Sequence, residues 1–229
     1  PWKAGKLPKL LLKMVVTLYK LDASPPVRAV HMVIAAINLP DVEYIDVNLL
    51  QQDQLKDDFV KINPQHTIPT LVDDDFVIWD SHAITTYLIN SYADNDSLYP
   101  PEPRQRALID QRLHFDSGIL FPALREATAP IMFGGEKGLN PEALQKIEKA
   151  YEFTEKFITA QWLAGDEVTV ADICCVATIS TMNELYAVDN TLYPRLTEWM
   201  KRCSELEIYK KGNEPGLLMF RHLLRSRLE

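Results

Sequence analysis

The hydrophobic period of this chain changes once along its length, and that change limits the fold more than any other feature. Between residue 14 and about residue 92, short apolar runs of strand length alternate with stretches of helical spacing; beyond residue 103 only helical spacing occurs. Residues 15–19 predict a buried strand, 25–37 a helix, 44–47 a strand, 53–61 a short helix, 70–72 and 76–79 a hairpin, and 81–92 a helix. In the first helix Val27, Val30, Ile34 and Ile37 recur at three- and four-residue spacing. Pro25 is tolerated at its start because a first-turn N–H has no partner inside the helix. A strand–helix–strand unit followed by a hairpin and a helix makes a small α/β domain over residues 14–93, with a right-handed first crossover.

Residues 94–103 are polar and hold Pro100, Pro101 and Pro103, which marks them as a linker. After it, residues 104–127, 141–160, 170–186, 194–204 and 217–227 all read as helices, so residues 104–229 predict an all-α domain. Residues 132–135, Met-Phe-Gly-Gly, look like a loop near the cleft. Thr169-Val170-Ala171-Asp172 is a capping box, with Val168 and Ile173 placed for a hydrophobic staple, and it reads as a folding device with no catalytic role for Asp172. Residues 1–13 are basic and precede the first strand pattern. They read as an N-terminal extension outside the fold, disordered, cloning-derived or a splice product, with Met14 a candidate start.

A chain of 229 residues with 47% hydrophobic content can bury a sizeable core. A net charge of −8 and a pI near 5.2 argue against nucleic acid or an anionic membrane as the main partner. Cys174, Cys175 and Cys203 show no Cys-x-x-Cys or metal-ligand spacing, and two are adjacent in an apolar run, which fits buried thiols in a reducing compartment and no metal. Leu10-Leu11-Leu12 is too short for a signal peptide, and no apolar run approaches the roughly 18 residues of a membrane span.

Three loops bring polar groups to the start of an element. Ser24 stands where the first strand turns into the first helix, so its hydroxyl and the neighbouring N–H groups lie at the positive end of a helix dipole, a geometry suited to holding a thiolate. Asn63-Pro64-Gln65-His66-Thr67-Ile68-Pro69 precedes the third strand, where Ile68 can offer free backbone groups to a peptide-like ligand. Asp80-Ser81-His82 opens the next helix; Ser81 has a hydroxyl and an N–H for a carboxylate, and Asp80 has a charge for an ammonium. No cysteine accompanies Ser24, which argues against thiol–disulfide exchange by the protein itself.

In this order, Ser24-Pro25-Pro26, the 63–71 segment, Asp80-Ser81-His82-Ala83-Ile84 and Val168–Asp172 resemble a cytosolic glutathione transferase, most closely the insect delta and epsilon classes, over residues 14–224. The resemblance implies a thioredoxin-like N-terminal domain, an all-helical C-terminal domain, a homodimer, a cytoplasmic location, and glutathione as co-substrate with no metal. It makes Ser24 the hydroxyl on the glutathione thiolate. It places Ile68 and a cis Pro69 on the cysteinyl part, His66 and Thr67 near the glycyl carboxylate, and Asp80, Ser81 and His82 on the γ-glutamyl end. Gln54 stands where many relatives carry a histidine. Asp80 and His82 stand where delta members have Glu and often Arg, which favours the epsilon class. The same resemblance puts Phe121, Leu124, Arg125 and Phe220 around a small hydrophobic electrophile, with conjugation, peroxidase or dehydrochlorinase chemistry. The alternatives are a carrier on the same fold and a transferase with one endogenous substrate, such as a steroid or pigment.

Overall fold

The computed structural model describes residues 16–229; the expected 1–13 extension, Met14 and the first residue of the expected 15–19 strand lie outside the described residues. Strand β1 (Val16–Lys20) leads through Ser24 into α1 (Pro25–Ala36), then β2 (Glu43–Asp46). The hairpin is β3 (Thr70–Asp73) and β4 (Phe76–Trp79), and α3 (Ser81–Tyr92) follows it. Strand order is β2-β1-β3-β4. β1 runs parallel to β2 with Leu18 opposite Tyr44, and antiparallel to β3 with Leu18 opposite Leu71. Leu18 and Leu71 are fully buried, as alternate positions of a central strand pair should be.

The single helix expected over 53–61 does not form. Two 3-10 turns, Leu49–Gln51 and Asp53–Leu55, precede a shorter helix α2 (Asp57–Ile62), and Gln52 between the turns is left-handed at φ 60°. Local side chains take over the backbone here. Asn48 Oδ1 accepts the N–H groups of Leu50 and Gln51, while Asp53 Oδ2 accepts that of Asn48.

The second half is helical throughout, with α4 (Pro103–Phe115), α5 (Phe121–Gly134), α6 (Pro141–Phe157), α7 (Val170–Leu185), α8 (Pro194–Glu205), α9 (Glu207–Gly212) and α10 (Glu214–Leu228). Between α4 and α5 the chain makes one π turn, Asp116–Leu120, whose closing bond runs from the Phe121 N–H to the Asp116 carbonyl. Pro122 explains the widening: it has no N–H for the Gly118 carbonyl, so the ladder shifts by one residue. The expected loop at 132–135 is corrected, because α5 continues to Gly134 and ends on the left-handed Gly135. The last helix starts at residue 214, three residues before the expected start, since Pro215 fits its first turn; the separate α9 was not foreseen.

Helix α7 is the axis of the core. Every residue from Val170 to Met182 is buried, because α1, α3, α4, α5 and α8 surround it. Asp172 does more than cap it. Its Oδ2 accepts the N–H and hydroxyl of Thr169, and its Oδ1 accepts the Leu163 N–H and the Trp199 Nε1–H, each at 2.9 Å. The carboxylate therefore ties α7 to the 158–165 segment and to α8. Burial pushes it up from the usual carboxylate range against those donors.

Candidate active site

Ser24 is the N-cap of α1, with extended backbone, yet its side chain makes no capping bond. A cap hydroxyl serves the N–H of the second or third helical residue; Pro26, at the second, has none, and the Ser24 hydroxyl does not accept that of Val27 at the third. The hydroxyl is half-buried and uncommitted at the positive end of a helix dipole.

The 63–69 loop is built around Asn63, which is fully buried. Its Nδ2 donates to the Thr67 carbonyl at 3.0 Å, the Thr67 hydroxyl at 3.1 Å and the Thr70 hydroxyl at 2.9 Å, while its Oδ1 accepts the Gln65 N–H. This frame holds His66 left-handed at φ 47° and exposed, and leads to a cis Ile68–Pro69 bond ahead of β3. Among the described residues, neither backbone group of Ile68 has a partner within the protein. Thr67 spends its hydroxyl inside the loop. Gln54 lies on the second 3-10 turn with its Oε1 buried and unpartnered.

Asp80 is strained at φ 74° and caps α3, with Oδ1 accepting the N–H groups of His82 at 2.9 Å and Ala83 at 3.1 Å. Its second oxygen and the N–H of Ser81 remain free at the helix start. Non-glycine residues at positive φ are uncommon; among the described residues His66 and Asp80 are two of six, with Asn38, Asp41, Gln52 and Asp74.

His82 does not join them. Its Nε2 meets Asp116 Oδ2 at 2.8 Å, so the ring faces the helical domain. Burial disfavours the imidazolium, but the Cys174 sulfur and the Asp116 carboxylate outweigh it and push His82 up to about 11. Sequence reading missed Asp116. The one signal was Asp116-Ser117-Gly118, a run of turn formers inside a helical pattern, which proves to be the π turn that delivers the carboxylate.

Of the expected pocket residues, Leu124 is 2% exposed and belongs to the main core, and half-buried Phe121 packs against it. Phe220 joins a satellite cluster with Ala23, Ile131 and Leu224, which sets α10 beside the Ser24 loop. Arg125 is exposed. A cavity of about 690 Å³ lies elsewhere, between the end of α6 and the start of α8, and none of these residues lines it. Among the described residues no group of side chains is arranged to hold a metal ion, and no helix is long and apolar enough to cross a membrane.

A four-stranded mixed sheet joined to a helical second half is the architecture of the glutathione transferase fold. Residues 18–96 match the glutathione S-transferase N-terminal domain and 108–207 its C-terminal domain, and the chain belongs to the glutathione S-transferase family of enzymes. It is 59% identical over 216 residues to "Glutathione S-transferase 1" of Manduca sexta, covering 94% of this chain and all of the relative. An epsilon-class glutathione S-transferase from the housefly, Musca domestica, superposes with a TM-score of 0.89 at 38% identity, covering 93% of this chain and 98% of the other. A glutathione transferase homologue from Drosophila mojavensis with bound glutathione superposes with a TM-score of 0.90 at 40% identity, covering 93% and 98%.

Proposed function

We propose that this enzyme binds glutathione along the three loops, holds its sulfur as a thiolate with Ser24, and directs it at small hydrophobic electrophiles. The observation that carries this reading is the Ser24 hydroxyl, placed at a helix N-terminus and making no capping bond there. Ser24 donates a hydrogen bond to the sulfur and keeps its own proton; the thiolate forms the new S–C bond as the leaving group departs, or adds to a conjugated double bond. A thiol near 8.5 is mostly protonated at neutral pH, and a helix N-terminus with a hydroxyl donor can lower it by about one to several units.

In this reading the unpaired backbone of Ile68, set by Pro69, pairs with the cysteinyl peptide group. Asp80 takes the γ-glutamyl ammonium and Ser81 its carboxylate, while His66, Thr67 and Gln54 face the glycyl end. His82 serves the γ-glutamyl end only indirectly, because Asp116 holds its ring. Phe121 and Arg125 form the electrophile side with Leu124 and Phe220 packed behind them, and the enzyme acts as a cytoplasmic homodimer whose domains divide at residues 94–103. Ultraviolet difference titration of bound glutathione tests the central step. A thiol pKa below the free value in wild type, returned toward it by Ser24→Ala, is the expected result; a value unchanged by the substitution refutes the role of Ser24.

A further inference from the structure

Arg28 is the buried residue that folding accounts for least. It lies one turn into α1, its N–H bonded to the Ser24 carbonyl at 3.0 Å, and it is 0% exposed. Its Nη1 donates to Asn213 Oδ1 at 2.6 Å, and its Nη2 to the Ala177 carbonyl at 3.2 Å and the Thr181 hydroxyl. All three acceptors are neutral, and Nε has no partner among the described residues. Taking a guanidinium out of water is costly unless a counter-charge is buried with it.

No carboxylate bonds Arg28 directly. Glu184 on α7 acts on it only at a distance and is itself held by Arg221 of α10 at 2.6 Å. Asp22, in the loop before Ser24, is held by Lys20 at 2.8 Å and His31 at 3.0 Å. Burial keeps the Tyr209 phenol of α9 neutral. Burial also draws Arg28 down to about 9, which leaves it a cation at neutral pH.

The guanidinium reaches α7 and Asn213, while the stem passes beside the loop that precedes α1. A Cβ on Gly216 would lie 2.1 Å from the Asp22 carbonyl oxygen and 2.6 Å from Arg28 Cδ, so both atoms crowd one point. The arginine stem thus packs against the loop that carries Ser24, at the positive end of the α1 dipole.

We propose that Arg28 is a positioning residue of the glutathione site, whose buried cation, bonded to no acid, adds to the field of the α1 N-terminus and to the stabilisation of the bound thiolate. This deepens the reading of Ser24 as the thiolate donor and rests on it. Four proteins test it by ultraviolet titration of saturating glutathione: wild type, R28M, R28K and N213D. N213D sets a carboxylate where Asn213 Oδ1 now stands, 2.6 Å from Nη1, and cancels the charge without removing the arginine. The bound thiol pKa is expected to rise by about one unit in R28M and N213D, the low end for a nearby opposite charge, and to stay near wild type in R28K. The acid limb of kcat/KM should move by the same amount, which a purely structural role would not produce. If R28M does not fold, N213D decides alone. A depressed wild-type value left unchanged in N213D overturns this proposal by itself, whereas a wild-type value equal to that of free glutathione overturns the Ser24 reading and this one together.

Discussion

Replacing Asp172 by alanine should destabilise the protein more than replacing Ser24 or Ser81. The carboxylate is 1% exposed and accepts four hydrogen bonds, from the Thr169 N–H and hydroxyl, the Leu163 N–H and Trp199 Nε1. In the alanine protein the Thr169 hydroxyl can turn elsewhere, but three N–H donors cannot. A buried donor left without a partner costs about 1–3 kcal/mol. Against this, burial raises the Asp172 pKa, so its ionised form already costs stability at neutral pH, and removing it returns part of the loss. The net expectation is about 3–5 kcal/mol, in the range seen when one side of a buried charged network is removed. In a chain of this length that corresponds to a Tm lower by roughly 8–15 °C by differential scanning fluorimetry. Asp172→Asn should fall between, since an amide oxygen can still serve Leu163 and Trp199 while only the Thr169 N–H loses its acceptor. A D172A shift below about 3 °C, or a D172N loss as large, would show that the segment before α7 and helix α8 are anchored by something other than this carboxylate.

Gly216→Ala forces the Asp22 carbonyl and the Arg28 stem apart; a Tm loss of about 3–10 °C is expected, with impaired electrophile turnover, while Gly118→Ala, where an added Cβ meets nothing within 4 Å, should leave both nearly unchanged. His82 should show no titration by NMR between about pH 5.5 and 8.5, and Asp116→Asn should bring its transition back into that window. Its folded pKa is raised, so the stability it contributes is fully present below its unfolded value near 6.5 and is lost as pH rises toward about 11; a pair that grows stronger on the alkaline side would refute the assignment. Cys174, Cys175 and Cys203 are buried, and burial pushes Cys175 and Cys203 well up, so a thiol reagent should label none of the three in the native protein within the time that it labels all three in denaturant.

Ser24, Ser81 and the 63–69 loop were legible because the start of a helix or strand is written in adjacent residues: a hydroxyl or carboxylate, a proline, then an apolar period. The same local logic went wrong at 53–61, where Asn48 and Asp53 satisfied backbone groups by turns, and at 132–135, where two glycines read as a loop although the first still belongs to α5. Nothing local predicted the groups that hold the loops in place. His82 finds Asp116 34 residues away, and Arg28 finds Asn213 185 residues away, through elements packed around α7. The two cases differ in a way that bears on mechanism. His82 had a visible place at the start of α3, and the fold withdrew it from that site by supplying a carboxylate from the helical domain. Arg28 had no visible place at all, since an arginine on an amphipathic helix reads as surface, and the fold buried it with no carboxylate bonded to it. A protein that can pair one interdomain cation with an acid has the means to pair the other, and N213D is the single change that would do so. The wild-type sequence keeps a neutral amide at this position, which under the proposal leaves the arginine's charge to act on a ligand bound at the first turn of α1.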